Sequence, residues 1–91
     1  MRNLGYWLVR MARPPLFGIR IRAGVTEVSK GPLPAGLLPD LADVVREFGI
    51  VEGYVDAVAQ AGRVVVRFSR GVPAASHQRF RNVVGARRIR A

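Results

Sequence analysis

Two Ala-Gly dipeptides, Ala23-Gly24 and Ala61-Gly62, each stand between short stretches in which apolar and polar residues alternate. That arrangement leaves a chain few choices, because a two-residue turn fixes which residues face each other across a hairpin. Around Ala23-Gly24, pairing sets Arg22 opposite Val25, Ile21 opposite Thr26, Arg20 opposite Glu27 and Ile19 opposite Val28. Phe17, Ile19 and Ile21 then share one face, and Arg20 meets an acid on the other. A slip by one residue destroys both features. Around Ala61-Gly62 the same construction sets Asp56 opposite Arg67, Val55 opposite Phe68 and Ala57 opposite Val66. The expected strands are 16–22 with 25–30, and 50–59 with 63–69.

Each hairpin leads into a helical pattern. The loop GPLPAG at 31–36 opens a helix over about 36–48, with Leu37, Leu41, Val44, Val45 and Phe48 on the buried stripe. Pro39 falls within the first turn, where its missing N–H costs little. Asp40, Asp43 and Glu47 form an acidic outer stripe, and Gly49 supplies the stop. A second helix over about 73–84 starts near Pro73 and stops at Gly85. Val72, Ser76, Phe80, Val83 and Val84 face inward, with Arg79 and Arg81 outward. The expected class is α+β: ββαββα, a four-stranded antiparallel sheet with both helices on one face, read as a permuted ferredoxin-like pattern. Offset by 39 residues, Pro34-Ala35 matches Pro73-Ala74 and Val44-Val45 matches Val83-Val84, a weak internal repeat. Three parts are expected: an N-terminal amphipathic segment (1–15), one α+β domain (16–85) and a basic tail (86–91).

Residues 1–15 carry Leu4, Trp7, Leu8 and Met11 at helical spacing, with arginines beside them and Pro14-Pro15 at the end. The apolar run is too short and too charged to span a bilayer. It also lacks the long apolar stretch and cleavage site of a signal peptide. Packing on the domain's own surface is the favoured reading of this segment. Docking on a partner, or on an anionic membrane surface, is the alternative.

With that frame in place, charge decides the functional reading. Fifteen basic residues against six acids give a net charge of +9, and fourteen of the bases are arginine. All six acids (Glu27, Asp40, Asp43, Glu47, Glu52 and Asp56) fall in the middle of the chain, so both ends are basic. Such asymmetry points to nucleic acid or another anionic surface. A GC-rich genome also favours arginine codons, which bears on the Arg-over-Lys bias more than on the sign of the charge. With Arg20 set against Glu27 and Arg67 against Asp56, the candidate nucleic-acid contacts are Arg22, Arg63, Arg70, Arg79, Arg81, Arg87, Arg88 and Arg90. Backbone or shape recognition suits them better than base stacking, since Tyr54 is the one aromatic expected on the sheet's open face. The bland alternative is a generally basic, solvated surface with no specific ligand.

Enzymatic readings find little support. No cysteine is present, and His77 is the single histidine. Asp40 and Asp43 read as a solvated helix face near a helix N-terminus rather than a catalytic pair. Glu52, Tyr54 and Asp56 share a sheet face, but cross-strand pairing with Arg67 explains Asp56. The glycines are spread over turns and stops, so no phosphate-cradling loop appears. The expectation is a small basic non-enzymatic protein without cofactor, metal or evident small-molecule substrate, located in the cytoplasm or at a membrane periphery. It is expected to bind an anionic polymer, nucleic-acid backbone foremost. The rival is a membrane-peripheral or self-assembling module: the acidic stripe of the first helix and the basic stripe of the second either pair within one molecule or meet between copies to form a homodimer.

The segments FGIRIRAG, GPLPAGLL and VVVRFSRGVPAASHQRFRNVVG carry a resemblance. Over residues 16–85 the chain resembles a small bacterial domain family of unknown function. Its final motif combines an Arg-Phe-Ser strand end, a proline-started helix and a Gln-Arg-x-Arg-Asn run. Here these are Arg67-Phe68-Ser69, Pro73 and Gln78-Arg79-Phe80-Arg81-Asn82. The resemblance implies an N-terminal membrane-spanning segment, which residues 1–15 do not supply, and it implies no activity.

Overall fold

A computed structural model describes residues 14–87. Its elements follow the order ββαββα: β1 (Phe17–Arg22), β2 (Val25–Lys30), α1 (Leu37–Glu47), β3 (Glu52–Gln60), β4 (Arg63–Phe68) and α2 (Ala74–Gly85). Residues 1–13 and 88–91, including Leu4, Trp7, Leu8, Met11, Arg88 and Arg90, lie outside the described residues.

Both hairpins close as the turn dipeptides dictate. Ala23 and Gly24 take φ of 51° and 75°, and Ala61 and Gly62 take 52° and 74°. Two successive positive φ values define the type I′ turn, whose twist matches that of the strands it joins. The register follows: Arg20 faces Glu27 and Ile21 faces Thr26 in the first hairpin. Asp56 faces Arg67 and Val55 faces Phe68 in the second. β1 and β3 then pair antiparallel at the centre, giving the order β2-β1-β3-β4. Among the described residues, both second strands of the hairpins are therefore sheet edges.

The edge strand β2 runs parallel to β3 with β1 between them, so β2-α1-β3 is a split βαβ crossover. The ferredoxin-like expectation is refined here. Each hairpin starts on a central strand and steps out to an edge, and the helix returns the chain to the centre. A circular permutation of the ferredoxin-like pattern runs its hairpins from edge to centre. The chain thus has that pattern's layers and its split crossover, with a different strand sequence.

One core lies between the sheet and the two helices. Phe17, Ile19, Ile21, Val55 and Ala57 meet Leu37, Leu41, Val44 and Val45 of α1 and Phe80 and Val84 of α2. α1 ends as its sequence predicts. Gly49 takes φ 60°, its N–H donates to Arg46 O, and the Ile50 N–H donates to Val45 O. This is a Schellman cap, with Val45 and Ile50 both buried against it. Gly85 behaves differently from Gly49. It is the last residue of α2 rather than a stop beyond it, without a positive φ, and the Ala86 N–H still reaches Asn82 O.

The sheet face away from the helices is less open than the alternation predicts. Tyr54 and Val58 are buried, and Asp56 is only 1% exposed. Tyr54 is thus not an exposed aromatic, which removes it as a platform for a base.

Candidate anion-binding groove along the fourth strand

Where the acids go decides which arginines remain available. Glu27 meets Arg22 at 3.3 Å, Glu47 meets Arg79 at 3.2 Å, and Asp56 meets Arg67 at 4.0 Å. Asp43 pairs with Arg46 and Asp40 with Arg87. Among the described residues, five of the six acids therefore have an arginine partner, and Glu52 lies exposed at the start of β3.

The first pair corrects the cross-strand expectation. Glu27 lies opposite Arg20 on the backbone, yet its carboxylate reaches diagonally to Arg22. Arg20 instead places its guanidinium 5.7 Å from the centre of the Tyr54 ring. Diagonal neighbours are within reach of long side chains, so backbone register alone does not choose the partner. Arg22 is consequently tied by an acid rather than left over.

The helix stripes pair within one molecule. Arg79 of α2 donates to Glu47 of α1. Arg87 donates to the Ala35 and Gly36 carbonyl oxygens, each at 3.1 Å, as well as to Asp40. Arg87 thus fastens the end of α2 to the entrance of α1. The same pairs separate Asp40 from Asp43 chemically, each being held by a different arginine.

Arg63, Arg70 and Arg81 have no acid within ion-pair distance among the described residues. Arg63 opens β4, Arg81 lies on the exposed side of α2, and both line one surface groove of about 340 Å³. Its remaining lining is Val64, Val65 and Val66 of β4 with Val84 and Gly85 of α2. Two arginines therefore border a largely apolar trough between an edge strand and a helix. Arg70 follows the other end of β4 and does not line the groove.

Packing beside the groove orients Arg81. Its guanidinium lies 5.5 Å from the centre of the Phe68 ring. His77 stacks on the same ring at 3.8 Å with an interplanar angle of 3°, and its Nε2 is 3.1 Å from Val72 O. His77 is half-buried in this stack rather than solvated at the surface. Among the described residues no three acid or histidine side chains group as a metal site.

The groove itself was not legible in the sequence, because it exists only if β4 is an edge strand. Its signal was the run Val64-Val65-Val66 after Arg63, apolar residues that a half-exposed strand does not need on both faces.

A family model described as protein of unknown function, DUF3634, matches residues 3–91. No curated protein and no solved structure matches the chain. No helix among the described residues is long and apolar enough to cross a membrane.

Proposed function

We propose that this chain, which belongs to that family of unknown function, is a non-enzymatic binding domain for an anionic linear polymer. The ligand lies against the groove between β4 and α2. The observation that supports this is the distribution of ion pairs. Arg22, Arg46, Arg67, Arg79 and Arg87 are engaged by acids, while Arg63 and Arg81 converge on one apolar trough. Arg70 lies past the other end of β4, and Arg88 and Arg90 follow α2 in sequence, outside the described residues. Nucleic-acid backbone, the ligand expected from composition, meets this description. So does an acidic polypeptide.

Salt dependence tests the reading. A labelled single-stranded oligonucleotide and an acidic peptide are titrated with protein at about 50 and 200 mM salt. Two arginine contacts give a log–log slope of about −1.4 on a single strand, a loss of roughly sevenfold across that range. Arg63→Ala with Arg81→Ala should weaken binding of the preferred polymer and flatten its slope toward zero. Affinity indifferent to both substitutions rejects the groove as the site.

The self-assembling alternative loses its charge complementarity, because Glu47 and Asp40 are already matched within the molecule. The membrane-peripheral alternative rests on residues outside the described ones.

A further inference from the structure

Hydrogen-bond phase along β4 narrows the ligand. The Ser69 N–H donates to Tyr54 O at 3.0 Å, and the β3–β4 register, continued one step past Val55 opposite Phe68, sets these two residues opposite each other. A direct bond between opposed residues marks a hydrogen-bonded pair of an antiparallel ladder, and such pairs alternate along the strand. Arg67, Val65 and Arg63 therefore turn their backbone groups toward β3. Phe68, Val66 and Val64 turn theirs outward, to an edge on which no strand pairs among the described residues. Val64 and Val66 are also the residues whose side chains floor the groove, with Val84 opposite.

One stretch of chain thus presents outward N–H and C=O groups at every second residue, an apolar trough beside them, and cations bordering it. We infer that an extended acidic polypeptide adds to β4 as a further strand, with alternate side chains in the groove and its carboxylates at Arg63 and Arg81. This rests on the reading of the groove as an anionic-polymer site and names the polymer.

Three observations favour polypeptide over nucleic acid. Outward backbone groups recur at the two-residue repeat of a strand, roughly 7 Å, which another strand matches group for group. A single nucleic-acid strand instead gains most from aromatic platforms. The aromatic beside this groove, Phe68, is already stacked by His77 and approached by Arg81. Further, the two arginines that line the trough among the described residues, Arg63 and Arg81, suit the few carboxylates of a short peptide better than the repeated charge of a phosphate backbone.

The probe is a fluorescein-labelled peptide of about seven residues, alternating glutamate and valine, followed by anisotropy at about 100 mM salt. Two further peptides carry N-methyl groups on alternate backbone nitrogens, one in each phase, leaving charge and side chains unchanged. Strand addition predicts that N-methylation in the hydrogen-bonding phase weakens binding by about tenfold or more, and in the other phase far less. Val66→Pro removes an outward donor without touching the β3 ladder. It should lower peptide affinity similarly, while circular dichroism reports that the fold is kept. The N-methyl peptides need no altered protein and decide the question if that variant unfolds.

Equal loss for both N-methyl phases, or none for either, overturns strand addition. Tighter binding of a mixed-sequence single-stranded oligonucleotide, lost on Arg63→Ala with Arg81→Ala but kept by Val66→Pro, overturns the polypeptide while sparing the anionic-polymer site. Binding of neither probe overturns both.

Discussion

At the scale of single residues, burial separates ion pairs that look alike in sequence. Asp56 has a side chain with no exposed surface, and its partner Arg67 is 17% exposed. Asp43 and Arg46 form an i, i+3 pair on α1 with about two thirds of each side chain in solvent. Removing one partner of a buried pair leaves a desolvated charge, whereas an exposed pair competes with water at both ends. Asp56→Ala should therefore cost about 3 kcal/mol of unfolding free energy, against less than about 0.5 kcal/mol for Asp43→Ala. Paired urea melts measure this, and equal midpoints for the two variants would refute it. Gly18 belongs to the same argument, since a Cβ there would collide with the Asp56 carboxylate. Glycine at this position is a condition of burying Asp56.

At the scale of elements, the hairpins were the legible part and the side-chain pairing was not. An alternating stretch has one register that collects Phe17, Ile19 and Ile21 on a single face, and Ala-Gly fixes it. The same logic could not say that Glu27 reaches Arg22, or that Arg79 and Arg87 are held by α1. Those contacts depend on rotamers and on how two helices lie together, and neither leaves a period in the sequence. The order β2-β1-β3-β4 was equally hidden, and with it the edge position of β4 among the described residues. One element-scale feature remains improvable. Ala23 and Ala61 hold left-handed φ values that cost a residue with a Cβ roughly 1 kcal/mol, and asparagine tolerates that region better. Ala23→Asn and Ala61→Asn should each stabilise the fold by about 0.5 kcal/mol, and their sum should be additive because the turns belong to separate hairpins. A destabilised Ala61→Asn in thermal melts would contradict the type I′ assignment.

At the scale of the whole molecule, net charge and local pairing pull stability in opposite directions as salt rises. A charge of +9 on a body of about 15 Å radius carries a self-energy on the order of 10 kcal/mol in water without screening, and unfolding dilutes it. Against this stand four pairs with substantial exposure, each contributing no more than about 1 kcal/mol. Screening at about 0.15 M shortens the reach of charge to about 8 Å, from about 30 Å at 0.01 M. Long-range repulsion is thereby removed more completely than contact pairing. The melting temperature should rise by at least about 4 °C over that range of sodium chloride, since about 1 kcal/mol moves a domain of this size by that much. A flat or falling melting temperature would mean that the paired arginines outweigh the unpaired ones. The same repulsion links stability to binding. A polyanion seated at Arg63 and Arg81 relieves it locally, so stabilisation by ligand should be largest at low salt and shrink as chloride takes over the screening.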